Sequence, residues 1–372
     1  MIIGVPKEIK LQEHRIGLTP DSVKILTNKG HSVLVQKNGG YEAGFFNEDY
    51  EEAGAEIIEK AEDIFKSAEI IVKVKEPQME EVKMIRENQI IYTYLHLAAA
   101  KELTKGLVNS KSVCIAYETV TDDNGKLPLW APRSAVAGRM SIQAGAHSLE
   151  KNQNGRGLLL GGAPGVEPAN VVILGGGVVG ENAAIIATGM RGKVYIVDKS
   201  KERLKELHEM FGDKIIPTES DKIDLKKLVS ECDLLVGGVL IPGAEAPKLI
   251  TKEMIKNMKR GSVVVDVAID QGGCVETSKP TTHANPTYLV DEVVHYCVAN
   301  MPGGVPRTST MALNNATLPL LIKLADQGYK KTLTENKNYL AGLNVYKGKI
   351  TFKGVAEAFN LDYTPPEKAI LD

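Results

Sequence analysis

The 372-residue sequence predicts an α/β protein built from two doubly wound domains, one of them discontinuous. Three observations carry that prediction. Short β-type runs alternate with helical patterns from Met1 to Trp130, which is the spacing of βαβ units and a parallel sheet. A second series of strands, apolar throughout, starts after Ala131, as expected where helices cover both sheet faces. From Arg307 onward the chain carries helical patches and no strand series, so it is expected to pack back on the first domain rather than form a core of its own. The expected division is residues 1–130 with 307–372, and residues 131–306 between them.

The elements of the first domain follow in order. Ile2–Val5 reads as a strand, Pro20–Lys29 as a helix ended by Gly30, and Ser32–Gln36 as the next strand. Helical signals cover Glu48–Ala53 and Ala61–Ser67, followed by strand Glu69–Val74, helix Met79–Glu87 and strand Gln89–Leu95. Lys101–Asn109 and Ser112–Tyr117 repeat the unit. In the central domain, Arg133–Glu150 reads as a long helix and Gly161–Gly165 as a loop. Strands are expected at Asn170–Leu174, Lys193–Val197, Asp233–Val239, Ser262–Ala268 and His295–Ala299, and the tail has Leu318–Leu324 in helical phase.

Composition narrows the function classes. Apolar residues make up 43% and charged residues 25%, ordinary for a chain able to bury sizeable cores. With 45 basic and 47 acidic residues the formal charge is −2, which gives nucleic acid or an anionic membrane no positive field to meet. Aromatics are only 5%, so stacking platforms for bases are not expected. Mean hydropathy is −0.12, and no apolar run approaches membrane-spanning length. The start, Met1-Ile2-Ile3-Gly4-Val5 followed by Lys7, Glu8 and Lys10, is a strand followed by charge rather than an export signal. Cys114, Cys232, Cys274 and Cys297 form no CxxC pair, and a reducing cytoplasm is the expected location.

Gly is the informative excess, at 35 residues. After the apolar run Val171-Val172-Ile173-Leu174, Gly175, Gly177 and Gly180 give GxGxxG ahead of the helical pattern Glu181–Met190. In such a turn the first glycine permits the bend, the second lets backbone approach a pyrophosphate, and the third lets the helix pack close to the sheet. The helix N-terminus then offers N–H groups and a positive dipole end to phosphates. A second strand ends in Asp198, near the spacing of an acid that binds an adenosine ribose and repels a 2′-phosphate. The central domain therefore reads as a Rossmann domain for NAD; the glycine fingerprint by itself also suits FAD.

In open α/β sheets ligands sit outside the carboxyl ends of the strands. At those ends lie Lys75, His96, Asp270 and Asn300, and the loop after the first strand carries His14 and Arg15. Each has an ordinary alternative: a solvated Lys before Pro77, a structural His, an Asp that shapes its own turn. Jointly they are chemically coherent. Arg15 and Lys75 suit an anionic small substrate. His96 can exchange a proton near neutral pH, and Asp270 can orient or activate a water. His14 and His147 read as structural or surface residues.

With these residues in place, the sequence resembles the alanine dehydrogenase family nearly end to end. The likeness lies in Gly4-Val5-Pro6-Lys7-Glu8, Glu13-His14-Arg15-Ile16-Gly17, Lys73-Val74-Lys75-Glu76-Pro77 and Tyr94-Leu95-His96-Leu97-Ala98. It continues in Met140-Ser141-Ile142-Gln143-Ala144-Gly145-Ala146, in Asp266-Val267-Ala268-Ile269-Asp270-Gln271-Gly272-Gly273, in Pro280-Thr281-Thr282-His283 and in Val298-Ala299-Asn300-Met301-Pro302-Gly303. The resemblance implies reversible NAD-dependent oxidative deamination of L-alanine to pyruvate and ammonia, by a hexamer. It implies that Arg15 and Lys75 hold the substrate carboxylate in the discontinuous, substrate domain, and that His96 and Asp270 are the catalytic pair. Ser134, Val178, Val179, Asp198, Arg203, Ser220, Val239 and Leu240 would line the cofactor, and Lys279 would offer a further basic contact. Val267, Ala268, Ile269 and Asp270, with Val298, Ala299, Asn300 and Met301, would flank the nicotinamide. Relatives with a divalent ion near the tail helix would hold it where this chain has Lys323 and Gln327, so no metal is expected. The nearest rival is the α subunit of proton-translocating transhydrogenase, which binds NAD without transforming an amino acid; a saccharopine or lysine-oxidising dehydrogenase would need room for a longer side chain, and a third alternative is a regulatory NAD sensor.

Overall fold

The computed structural model describes residues 1–239 and 246–371. The chain divides into two compact units, Met1–Arg133 joined by the segment from Val305 onward, and Ser134–Gly304. The described strands of the N-terminal segment are β1 (Ile2–Val5), β2 (Ser32–Gln36), β3 (Glu56–Ile58), β4 (Ile70–Val72), β5 (Ile90–Thr93) and β6 (Val113–Ala116). Those of the second unit are β7 (Asn170–Leu174), β8 (Lys193–Asp198), β9 (Ile215–Glu219), β10 (Leu234–Gly237), β11 (Val263–Asp266), β12 (Thr287–Val290) and β13 (Val293–Tyr296). The tail adds β14 (Leu343–Tyr346) and β15 (Lys349–Ile350).

In the first unit the sheet order is β15-β14-β6-β5-β4-β1-β2-β3, parallel from β6 to β3. The apolar runs explain why: Ile70, Val72, Ile90 and Tyr92 point into one core while Ile71, Ile91 and Cys114 point into another, so both faces are covered. The second sheet runs β12-β13-β11-β10-β7-β8-β9, and only β12 is antiparallel to its neighbour. Val171 and Ile173 face one core and Val172 and Leu174 the other. The expected fold class, two doubly wound parallel sheets, is the one observed.

The tail departs from expectation. It does pack on the first unit, but through a hairpin: β14 pairs antiparallel with β6 and with β15. The two-residue turn Lys347-Gly348 has positive φ at both positions (47° and 89°), the conformation that matches strand twist in a tight hairpin. Every residue of β14 is buried, Asn344 included, so no polar alternation marks the strand. Asn344 donates to Thr119 Oγ1 at 2.7 Å and to the Gly342 carbonyl at 3.0 Å. Other differences are of extent. The helix expected over Met79–Glu87 ends at Val82. The strand expected over Ser262–Ala268 stops at Asp266 and turns into a 3-10 helix, Val267–Gln271. β3, β9 and β12 had no strand signal; β9 carries Pro217, which only an edge strand tolerates.

Each sheet reverses its winding direction once. In the first this happens between β1 and β4, and in the second between β7 and β10. The crevices outside the carboxyl ends of those strand pairs are where this architecture places ligands.

Candidate active site

At the first reversal, the chain leaving β4 runs Lys73-Val74-Lys75, and β1 leads to Glu8. Lys73 is fully buried, its ammonium 3.0 Å from Glu8 and 2.8 Å from Glu81. The second oxygen of Glu8 accepts from the backbone N–H of Val74 (2.6 Å) and of Lys75 (3.3 Å). Burial raises the pKa of Glu8 against the pull of Lys73. This buried triad fixes the course of the backbone so that the next same-parity side chain after Lys73, Lys75, projects at the strand end. Burial, then the charges of Arg133, Arg15 and Lys10, pushes the Lys75 pKa down to about 8, against a weaker pull from Glu76. Glu76 itself is ion-paired with Lys10.

Arg15 lies on the loop after β1. That loop is tied to the tail helix Pro306–Gln327 by Asn314, which accepts from Thr19 N–H at 2.8 Å and donates to the Gly17 carbonyl at 2.6 Å. Arg15 is buried, and its Nε and Nη2 donate to the two oxygens of Glu13 at 2.7 and 2.6 Å. Burial opposes ionisation of Glu13, yet this fork holds its carboxyl down at about 2. The Nε/Nη2 edge of Arg15 is thus committed to Glu13.

His96 follows β5 in a left-handed conformation, φ 49° and ψ 38°. Its N–H donates to Glu118 at 2.6 Å, and the neighbouring Leu95 N–H donates to the same carboxylate at 3.1 Å. Glu118, half-buried and pushed up in pKa by desolvation, holds a backbone geometry that a non-glycine residue rarely adopts. The imidazole stacks on Tyr94 (5.9 Å between centroids) and meets the Trp130 ring edge to face at 5.5 Å. Burial, then the charges of Lys75 and Arg133, pushes the His96 pKa down to about 4. The imidazole is therefore neutral at pH 7.

At the second reversal the glycine turn has the form its spacing implies. Gly175 has φ 92°. A Cβ on Gly180 would fall 1.8 Å from the Gly175 carbonyl oxygen, while one on Gly177 would meet nothing within 4 Å. Gly177 is the N-cap of the helix Val178–Gly189 and provides no side-chain cap, so the first-turn N–H groups open onto that space. Asp198 accepts from Gly176 N–H at 2.6 Å and Ser200 N–H at 2.8 Å, bracing the turn, and each oxygen has a second lone pair for a ribose hydroxyl. Arg203 donates to the Gly176 carbonyl at 2.7 Å and pairs with Glu181 and Glu206. Ser220 N–H donates to the Asp198 carbonyl at 3.0 Å, and Val239 packs against Gly175. The turn, its acid and the open first helical turn fit a dinucleotide. Gly180→Ala is expected to destabilise this unit by about 1–3 kcal/mol through overpacking against backbone, read as a lowered midpoint of thermal unfolding and weakened NADH binding.

Val178 is exposed and Val179 buried at the start of that helix, and Ser134 is buried on the helix Ala131–Ser148. Asp270 is exposed on the Val267–Gln271 turn, where Val267, Ala268 and Ile269 are buried, and it accepts from Asn300 N–H at 3.2 Å. Asn300 has φ 56°, between half-buried Ala299 and buried Met301; Val298 is buried and bridges to Thr281. Lys279 is exposed, with its ammonium 4.6 Å over the Tyr288 ring. Leu240 lies outside the described residues. His14 and His147 are exposed. Lys323 sits over the Tyr339 ring and Gln327 donates to Thr332, and no group of three or more His, Cys, Asp or Glu suited to a metal occurs among the described residues. All four cysteines are buried thiols.

The structure thus brings Arg15, Lys75 and His96 together in one unit, and Gly175, Gly177, Gly180, Asp198, Arg203, Ser220 and Val239 together in the other. Sequence reading missed Lys73, Glu8, Glu81, Glu13, Glu118, Trp130 and Arg133. A weak signal existed for some of them: Lys73 and Lys75 share strand parity, and Trp130 is the one Trp of the chain.

A glycine-turn Rossmann unit and a second α/β unit with a cationic, imidazole-bearing strand end define a dehydrogenase-type oxidoreductase. The alanine dehydrogenase/PNT family models match along the chain, the N-terminal domain over residues 4–137 and the C-terminal domain over residues 141–353. The alanine dehydrogenase of Halomonas elongata is 56% identical over 363 residues, 98% of each chain. That of Methanococcus maripaludis is 53% identical over 371 residues, covering 100% of each. A solved L-alanine dehydrogenase superposes with a TM-score of 0.94 at 50% identity, covering 97% of this chain and 99% of that one. A transhydrogenase from Sinorhizobium meliloti shares the fold, with a TM-score of 0.82 at 21% identity over 94% of this chain and 100% of that one. The chain belongs to the alanine dehydrogenase/PNT family.

Proposed function

We propose that this protein is an NAD-dependent alanine dehydrogenase that interconverts L-alanine with pyruvate and ammonia. The observation that carries the reading is that Lys75, after β4, and His96, after β5, stand at the carboxyl ends of neighbouring parallel strands, in a chain that matches alanine dehydrogenases over its whole length. The glycine turn, the first-turn N–H groups of the Val178–Gly189 helix and Asp198 would hold the dinucleotide. Ser134, Arg203, Ser220, Val239, Leu240, Lys279, the 267–270 turn and the 298–301 segment are assigned to the same cofactor. When bound, NAD supplies the acceptor for the Cα hydride of alanine.

The remaining chemistry falls to the chain. Lys75 and Arg15 hold the substrate carboxylate by charge-assisted contacts, which fixes Cα and the amino group. Oxidised alanine is an imino acid, and a water must add to its imino carbon. His96, being neutral, takes the proton that this water loses and returns it as the carbinolamine collapses to pyruvate and ammonia. Asp270 is assigned to orienting the water. In the reverse direction the same groups deliver a proton to the departing hydroxyl.

The test is NADH oxidation by the purified chain with pyruvate and ammonium, no other protein present, and alanine measured as product. Failure of pyruvate to accelerate NADH oxidation would sink the assignment and favour a transhydrogenase-like coupling role. NADPH is expected to serve more than about tenfold worse than NADH, because the Asp198 carboxylate faces a 2′-phosphate with like charge. Among the described residues no helix is long and apolar enough to cross a membrane. A cytoplasmic location and a hexamer complete the proposal; the buried thiols suit a reducing compartment, and light scattering of the purified protein tests the assembly.

A further inference from the structure

We propose that Asp266 is the positioning residue of the Val267–Gln271 turn, a buried carboxylate clamp that holds Asp270 at its working geometry. The inference rests on the alanine dehydrogenase reading above, which assigns Asp270 to the reacting water and the 267–270 turn to the cofactor. β11 ends at Asp266, and the chain continues as five residues of 3-10 helix with Asp270 exposed on it. Such a helix has poorer hydrogen-bond geometry than an α-helix and rarely runs beyond three or four residues. An exposed carboxylate on it keeps one position only if the turn is restrained from outside itself.

Asp266 supplies that restraint. It is fully buried, and its two oxygens reach the two ends of the turn. Oδ1 accepts from Ala268 N–H at 3.1 Å on the way in. Oδ2 accepts from Cys274 N–H at 3.0 Å, Val275 N–H at 3.2 Å and the Ser278 hydroxyl at 2.6 Å on the way out. The Cys274 thiol adds a contact to Oδ1 at 3.6 Å. The surrounding backbone is shaped to this group: a Cβ on Gly273 would fall 2.7 Å from Oδ2, and one on Gly237, in β10, 3.0 Å from Oδ1. Burying a carboxylate is costly even among donors, so it is a poor device for stability alone. What it adds here is a single geometry for both ends of the turn that carries Asp270.

The experiment uses the full-length chain with Asp266→Asn, Asp270→Asn and the double variant, and Ser278→Ala as a milder probe of the same clamp. An amide keeps one acceptor and turns the other position into a donor. Oriented to keep the Oδ2 side, it opposes Ala268 N–H with its own N–H and releases the entry end of the turn. The exit end keeps a separate hold, because Lys248 donates to the Gly273 carbonyl and Leu249 N–H to the Cys274 carbonyl, both at 2.8 Å. Asp266→Asn is expected to lower kcat for pyruvate amination by about 10- to 100-fold, with pyruvate KM changed by less than about threefold. In the Asp270→Asn background the same substitution should cost less than about twofold in kcat, since the clamp has nothing left to position. A residue that only supports the fold would lower the unfolding midpoint and multiply its loss on that of Asp270→Asn. Multiplied losses, or wild-type kcat in Asp266→Asn, would overturn the proposal. Ser278→Ala removes one donor and should lose about two- to tenfold in kcat, again with no further loss beside Asp270→Asn. If Asp266→Asn does not fold, that second cycle decides alone: kcat unchanged, or lost equally in both backgrounds, overturns the proposal. Hydrogen exchange of residues 267–275 without cofactor gives a readout apart from turnover. Asp266→Asn, or Ser278→Ala in its stead, should speed it, by about tenfold or more for Asp266→Asn, which loses a hydrogen bond to a charged group. Should the wild-type chain fail to turn over pyruvate with ammonium, the alanine reading falls, and exchange still decides the clamp: an unchanged rate overturns it.

Discussion

Lys75→Met is expected to lower kcat/KM for pyruvate by roughly 30- to 5,000-fold, most of it through KM. Methionine keeps the length and apolar stem of the side chain while removing the ammonium. Truncating one member of a buried, hydrogen-bonded charge pair costs about 2–5 kcal/mol, because the other charge is left in a low-dielectric site without its partner. In this case the stranded charge would be the substrate carboxylate. The loss should depend on pH in wild type as well. The Lys75 pKa is lowered to about 8, so its ammonium is intact at pH 7 and disappears as pH rises through that value. Pyruvate affinity should accordingly fall above about pH 8 in the wild-type enzyme and show no such limb in Lys75→Met. A variant that binds pyruvate as the wild type does would remove Lys75 from the substrate site.

How far this site could be read from sequence follows from what kind of information each residue needed. Lys75, His96 and Asp270 can be named as candidates from sequence because strand ends are local features: an apolar run stops, and a polar side chain follows near the ligand-facing edge. The glycine turn was legible for the same reason, since its bend, its open position and its close packing are all encoded within six residues. Arg15 can be named as a candidate from sequence, but its partner cannot. Glu13 sits two residues away, and only the loop conformation decides that this pair closes a fork. The Glu8–Lys73–Glu81 triad ties Lys73 to a carboxylate 65 positions earlier, and no spacing rule predicts that Lys73 is locked in an ion triad while Lys75 stands at the strand end. Arg133 read as the opening of a long helix. Its position over Trp130 and its effect on His96 exist only after the first sheet has formed.

The same distinction holds for the fold. Central parallel strands are continuous apolar runs and were visible. β14 was not, because its burial on both faces includes Asn344 and its pairing partner β6 lies far back in the chain. β9 was hidden by Pro217, whose missing N–H is harmless only at a sheet edge. Edges and hairpins are decided by which strands remain unpaired, a property of the whole sheet.

His96→Asn is expected to reduce kcat by about 100- to 10,000-fold, the usual contribution of a positioned acid–base group. Asparagine tolerates the left-handed backbone held by Glu118, so the substitution removes the imidazole without imposing a new backbone strain. Pyruvate KM should change little. The pH profiles give the sharper test. A histidine with pKa near 4 is available as a base throughout the neutral range, but with little affinity for the proton it must take. The charges that depress it, Lys75 and Arg133, are the ones a bound carboxylate would offset, so substrate binding should raise the His96 pKa. Because kcat/KM reports the enzyme without substrate and kcat the complex, the acid limb should lie at higher pH in the kcat profile than in the kcat/KM profile. Removing the Lys75 charge should raise the limb of the kcat/KM profile directly, without substrate. Acid limbs at the same pH in both wild-type profiles, unmoved by Lys75→Met, would detach the imidazole from the proton transfer assigned to it.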